Sequence, residues 1–263
     1  MSYNEPISQK SVKSNHSSMV NYPYFTYRID YHLAELLGMK IQQVDPNFQA
    51  EEFCRRVMDR IKDRAFQERV AIIADELNTY LPDSFEEAWS ILSQILGPVN
   101  PEQTGMFTKW YWLMPVAKYV ELHGIESPRI GYLAIAEITK RNTGEFAIRP
   151  YIRRYPDESI KVMKNWAISP DFHLRRLASE GLRPKLPWAT KLDTFRLNPE
   201  PVFQILSLLK EDEVIFVKKS VANHLTDWLR VNPAPTRILI NNWRESSNQH
   251  TQWITRRATR KIS

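Results

Sequence analysis

From Phe25 onward apolar residues return every third or fourth position, the spacing that gathers them on one face of an α-helix. Residues 49–64 and 66–80 predict two amphipathic helices, with Phe53, Val57 and Ile61, then Val70, Ile73 and Leu77, as their buried stripes. Ser84-Phe-Glu-Glu87 has the form of a capping box, and it opens a third helix that runs through Leu96 and closes at Gly97. Residues 107–123 hold Phe107, Trp110, Tyr111, Trp112 and Tyr119 with Pro115 among them. A kink or break is expected there, and the periodicity assigns the aromatics to the core. Residues 127–141 give one more helix. Residues 1–24 are polar, rich in Ser, Asn and Lys, and are expected to form a flexible tail ahead of a single domain over 25–263.

The second half of the chain repeats. Three units each open with a proline-containing turn, run about ten residues of helix, turn again and enter a second helix that carries cations. They begin at Pro156, at Pro199-Glu-Pro201 and at Pro233-Ala-Pro235, and turn at Ser169-Pro-Asp171, Lys210-Glu-Asp-Glu213 and Glu245-Ser-Ser-Asn248. Arg176, Lys219 and Arg256 fall at equivalent places, 43 and 37 residues apart, which is the period of paired-helix HEAT or armadillo repeats. The fold class expected is therefore all-α, a superhelical solenoid of HEAT-like repeats. Its second helices would line a concave wall, with Arg175/Arg176, Lys218/Lys219 and Arg256/Arg257 stacking into a basic stripe. Such arrays also commonly bind proteins, so the repeat speaks to fold more than to function.

Composition narrows the classes. Glycine is scarce (7) and proline plentiful (17), which suits helices separated by proline turns. One cysteine, Cys54, leaves no internal disulfide framework or Cys-rich zinc site, and its place in a helical pattern marks it as packing. There is no 18-residue apolar run and no apolar leader segment, which points to a soluble intracellular protein, cytoplasmic or nucleoid-associated. The net charge of +6 is uneven: residues 1–140 carry 14 Lys/Arg against 18 Asp/Glu, residues 141–263 carry 22 against 12. That asymmetry turns the C-terminal half toward a polyanion, nucleic acid being the commonest.

The stretch 174–188 concentrates the chemistry. Arg175 and Arg176 can reach phosphates, Glu180 lies one turn beyond Arg176, Gly181 suits the position that stops a helix, and Trp188 follows the stiffening Pro184 and Pro187. The same residues also read as a surface helix with an Arg176–Glu180 pair and a core tryptophan. Glu145, Glu180 and Asp227 stand where the inner helices should be, separated by 35 and 47 residues, close to one repeat each, so they are expected to converge. Phosphate repels a carboxylate in a DNA groove, unless the ligand brings a positive charge. An alkylated base such as 3-methyladenine is cationic, and breaking its glycosidic bond leaves an oxocarbenium-like sugar. Carboxylates stabilise that charge, and one of them can polarise the attacking water, as paired carboxylates do in glycosidases. Trp188 can lie on the base or sugar, where cation–π attraction contributes about 0.5–2 kcal/mol. Each acid, taken singly, also reads as an ion-pair partner or a helix cap. Acids scattered over different surfaces, or each locked in its own ion pair, would end the catalytic reading.

Three phrases carry a resemblance: Glu-Phe-Ala-Ile-Arg-Pro (145–150), Arg-Arg-Leu-Ala-Ser-Glu-Gly-Leu-Arg-Pro-Lys-Leu-Pro-Trp-Ala (175–189) and Lys-Lys-Ser-Val-Ala-Asn-His-Leu-Thr-Asp (218–227). Together with Gln252-Trp-Ile-Thr-Arg-Arg-Ala-Thr-Arg260 they closely resemble the AlkC branch of the AlkC/AlkD DNA alkylation repair glycosylases. The resemblance is dense after residue 140 and loose before it. It implies a HEAT-like solenoid that excises cationic N-alkylated bases from duplex DNA, without a metal or redox cofactor and without full extrusion of the base. It places the catalytic acids on Glu145, Glu180 and Asp227 and the active-site tryptophan on Trp188. AlkC-type members usually continue past the last motif, sometimes with an immunoglobulin-like domain; here Ser263 follows it directly, and reduced affinity or substrate range is expected.

The reading that results is a monomeric, monofunctional glycosylase for alkylated bases. Asp227 and Glu145 would stabilise the sugar cation and position water, Glu180 would support the site and Trp188 would stack. Arg149, Arg153, Arg175, Arg176, Arg183, Lys185, Lys218, Lys219, Arg256 and Arg257 are the expected DNA contacts. The alternatives are a non-catalytic HEAT-repeat module for branched or damaged DNA and a protein–protein scaffold.

Overall fold

The computed structural model describes residues 29–104 and 109–260, which form thirteen α-helices and no strand. The expected tail at 1–24 and Phe107 lie outside the described residues. The first three helices, α1 (Tyr31–Gln42), α2 (Ala50–Ile61) and α3 (Phe66–Tyr80), bury the stripes that the periodicity marks, and each packs on the next. Asp30 starts α1 by accepting from the backbone N–H groups of His32 and Leu33, donors that would otherwise have no partner in the first turn. Cys54 is buried in this part of the core.

Ser84 caps α4 (Phe85–Leu92) by accepting from the Glu87 backbone N–H, and the helix then tightens into a 3₁₀ turn at Ser93–Ile95 ahead of Gly97, whose φ is +78°. The expected single helix through Leu96 thus loosens over its last residues. In α5 (Leu113–His123) the expected kink at Pro115 is absent. Pro115 stands in the first turn, where its missing N–H has no carbonyl to bond, and α5 simply begins there. Trp110 and Tyr119 are buried and Tyr111 and Trp112 half-buried, so these aromatics are core residues. α6 (Pro128–Thr139) matches its expected span closely.

Beyond α7 (Ile148–Arg154) the chain is paired helices. The pairs are α8 (Pro156–Ala167) with α9 (Phe172–Glu180), α10 (Glu200–Leu209) with α11 (Ile215–Val231), and α12 (Pro233–Arg244) with α13 (Gln249–Thr259). Each first helix has a proline at its first or second position, where proline's fixed φ is already helical. Asp171 and Asn248 cap α9 and α13 through their side chains. The second helices stack, α9 on α11 and α11 on α13, so the repeat period in the sequence is the period of the solenoid. Gly181 stops α9 as expected, but not through a left-handed backbone. It ends α9 with φ −63°, a right-handed conformation open to any residue. Its role is closeness: a Cβ there would come within 2.8 Å of Ile148 Cγ2 and 3.1 Å of Met163 Cε. Among the described residues no helix is long and apolar enough to cross a membrane.

Candidate active site

Glu145, Glu180 and Asp227 come together, linked by two arginines into one ladder. Arg176 lies 2.6 Å from Glu145 and 3.5 Å from Glu180; Arg183 lies 2.6 Å from Glu180 and 2.8 Å from Asp227. Local structure explains each position. Glu180 is the last residue of α9, one turn beyond Arg176. Arg183 follows three residues later, where the chain leaves the helix and can turn its guanidinium toward α11, the helix that carries Asp227. Glu145 departs from expectation: it sits in the turn before α7, where it is held by the Thr143 hydroxyl at 3.1 Å as well as by Arg176. All three acids are buried, retaining only 11%, 8% and 9% of side-chain exposure in the order Glu145, Glu180, Asp227. Each acid has an arginine partner, but the partners are shared, so the carboxylates form one site.

The three environments differ chemically. Burial alone would raise the Glu180 carboxyl, but Arg176 and Arg183, with a 2.6 Å hydrogen bond from Ser220, overcome it and hold the group down at about 2. Asp227 moves the other way. Burial raises it, Arg183 only partly offsets that, and Glu180 adds to the rise. Arg183 engages Asp227 through Oδ2 alone, leaving Oδ1 as the oxygen not committed to it. The ladder therefore holds a carboxylate locked as an anion beside one with more than ordinary basicity.

Nineteen residues without helix, 181–199, separate α9 from α10 and carry Trp188. Leu182, Leu186, Leu192 and Phe195 anchor this segment in the core. Arg149, only 2% exposed, holds it from the other side by donating to the carbonyls of Gly181, Arg183 and Thr190. Burial and the neighbouring Arg153 and Arg183 lower the Arg149 guanidinium to about 10. Trp188 is not the core tryptophan of the simpler reading. Its side chain stands out, 59% exposed, on a backbone with φ +58°. With Arg149, Arg153, Thr143 and Phe146 it lines a cavity of about 210 Å³ that includes none of the three acids.

Four of the expected DNA contacts are spent inside the protein. Arg176 and Arg183 are the struts of the ladder, and Arg149 braces the Trp188 segment. Arg175 pairs with Asp212 at 2.6 Å and donates to the carbonyls of Ser169 and Pro170. The cause is common to all four: burial leaves a guanidinium in need of acceptors, and the fold supplies them. Arg153, although exposed, donates to the Thr190 and Lys191 carbonyls. Lys185, Lys219 and Arg256 are exposed. Buried Lys218 lies 3.1 Å from His250 Nδ1, and Lys218 and Arg257 both approach the Trp253 ring, at 5.6 and 5.3 Å. The equivalent places Arg176, Lys219 and Arg256 thus share a repeat position but not an environment, and the expected stripe is confined to α11 and α13.

Residue-by-residue reading also missed Thr143, Ser220 and His224. Ser220, His224 and Asp227 are spaced four and three apart on α11, and that common face was the available signal. Among the described residues no three His, Cys, Asp or Glu side chains are arranged to hold a metal ion.

The comparisons with known proteins follow the same lines. Residues 143–262 match the family described as DNA alkylation repair enzyme, a span that begins just before Glu145 and takes in the whole ladder. An uncharacterised protein of Bacillus subtilis, YhaZ, is 31% identical over 232 residues, which is 87% of this chain and 62% of that protein. The structure of the Pseudomonas fluorescens alkylpurine DNA glycosylase AlkC, bound to DNA containing an abasic site analogue, superposes with a TM-score of 0.81 at 27% identity, over 92% of this chain and 65% of AlkC. The chain therefore spans a little under two thirds of the length of either relative.

Proposed function

We propose, from a C-terminal half that matches the DNA alkylation repair enzymes and a helical body built like that of AlkC, that this chain is a monofunctional DNA glycosylase. Its substrates are cationic alkylated bases of the 3-methyladenine type in duplex DNA. The observation that carries the reading is the convergence of Glu145, Glu180 and Asp227 on a single arginine-linked ladder. As the glycosidic bond breaks, its electron pair returns to the cationic base and the positive charge passes to the sugar. Carboxylates fixed beforehand meet that charge without reorganising, which is where electrostatic catalysis gains most. Asp227, the more basic acid, takes the proton of the water that adds to the anomeric carbon. Glu145 supports the sugar cation from the far end of the ladder, and Trp188 offers an exposed ring to the base or sugar. The cavity beside Trp188 is lined by Lys118, Arg149 and Arg153 against one acid, Glu121, so the cationic base is assigned to the three acids of the ladder.

Duplex DNA is the partner and the chain acts as a monomer. Lys185, Lys219 and Arg256 are the phosphate contacts this reading relies on, being exposed cations of the basic half. Removing a single phosphate contact, as in Lys219→Gln or Arg256→Gln, should lower the slope of log affinity against log salt by roughly 0.9. Arg175→Gln should leave that slope unchanged, because Arg175 already serves Asp212. Fluorescence anisotropy on an undamaged duplex over a salt series measures both. The activity itself is tested by release of free base from methylated duplex DNA. Binding without release would instead favour a DNA-binding module.

A further inference from the structure

Glu180 is gripped from two opposite sides. Arg183 and Arg176 approach Oε1, and the Ser220 hydroxyl lies 2.6 Å from Oε2. Ser220 does not act alone. Its oxygen is 2.9 Å from that of Ser179, Ser179 is 3.5 Å from His224 Nδ1, and His224 Nε2 accepts the indole N–H of Trp228 at 3.0 Å. None of the four side chains is more than 3% exposed.

The proton positions along this chain follow from chemistry. An indole N–H can only donate, so His224 Nε2 must be bare and a neutral ring must carry its proton on Nδ1. That proton points toward Ser179. The Ser220 hydrogen goes to the carboxylate, so the Ser179 hydrogen goes to Ser220. Reversing the order would leave His224 without any proton, which imidazole does not tolerate near neutral pH. Trp228 therefore sets a direction, and the only acceptor at the far end is Glu180. A fully buried histidine and two buried serines are costly compared with apolar residues of the same shape, unless every polar group is satisfied. Here every donor in the row ends on one carboxylate.

We infer that Ser220, Ser179 and His224, pinned by Trp228, are positioning residues: a one-way hydrogen-bond relay that keeps Glu180 an acceptor and fixes the plane of its carboxylate within the ladder. The inference rests on the glycosylase reading for its catalytic consequence, while the relay itself has a test independent of activity. Nitrogen-15 NMR of the histidine rings should show His224 neutral with the proton on Nδ1. A proton on Nε2 would overturn the relay. In Ser220→Ala the turnover number for base release should fall about tenfold or more, with KM and duplex affinity unchanged, and Ser220→Thr, which restores the hydroxyl, should recover most of it. Trp228→Phe should let the second His224 tautomer appear and slow turnover in the same way. Turnover unchanged in Ser220→Ala, or a loss confined to KM, overturns the positioning role. A wild-type protein that releases no base sinks the glycosylase reading instead, and the tautomer then decides the relay by itself.

Discussion

Asp227→Asn should cut the rate of base release by a factor on the order of 10²–10³, the loss typical when one preorganised electrostatic group is removed from a charged transition state. The substitution is nearly isosteric, and the amide oxygen can still accept from Arg183, whose Nε is 2.8 Å from Asp227 Oδ2 in the wild type. Duplex affinity should therefore hold to within about twofold, because the salt-dependent part of binding comes from phosphate contacts elsewhere. What disappears is the charge and the basicity. Because burial raises Asp227 above the ordinary aspartate value, wild-type activity should decline on acidification at a higher pH than a solvent-exposed aspartate would give. Single-turnover release of methylated base, followed across pH for both proteins, measures rate and acid limb together. Wild-type rates in Asp227→Asn would remove this residue from the chemistry.

Arg183→Leu should be the most damaging single change in the site. It leaves two buried carboxylates, Glu180 and Asp227, without their common partner, and breaking a buried pair this way costs roughly 3–5 kcal/mol. The loss of stability with rising pH should steepen as well. In the wild type Glu180 is held at about 2, below its unfolded value, so its contribution is present above the unfolded value and is lost as pH falls toward 2. Asp227 already lies above its unfolded value, so its contribution is largest in acid and is lost as pH rises through the folded value. Without Arg183 the main force lowering Asp227 is gone, and Arg176, 3.5 Å from Glu180, is the strut of the ladder still facing that acid. As pH rises above the ordinary carboxylate values the variant should then lose stability more steeply than the wild type, in which Arg183 partly offsets the rise of Asp227. Urea denaturation at several pH values gives the answer, and parallel curves for the two proteins would show that Arg183 does not set the protonation of the acids.

Much of the architecture was legible before any coordinates. Proline-opened helices at a near-constant period define the three pairs from Pro156 to Thr259, because the turn chemistry and the 3.6-residue period agree along that stretch. The acid set was legible too, but its wiring was not. The Arg176–Glu180 contact is written in the i, i+4 spacing, whereas Arg183 meets Asp227 across 44 residues and Arg149 reaches the Thr190 carbonyl across 41. Contacts at that range depend on how α7, α9 and α11 are placed against one another, and residue type alone cannot distinguish an arginine facing phosphate from one facing an internal carbonyl. Charge counting thus over-assigned DNA contacts in the very segment where the cations are committed internally. Pro115 and Gly181 were legible only in part: the helix is interrupted before Leu113 without a kink at Pro115, and Gly181 ends α9 as expected while also allowing a close approach to Ile148 and Met163.

The backbone at Trp188 has a wider consequence. A left-handed conformation is uncomfortable for a bulky side chain, by about 1–2 kcal/mol, and this one leaves the indole largely in water, where it recovers little by burial. Position 188 is therefore a reserve of thermal tolerance that the protein leaves untapped. Selection for heat resistance alone would drift toward glycine there, and would yield a sturdier molecule with a blank where its outward-facing ring now stands.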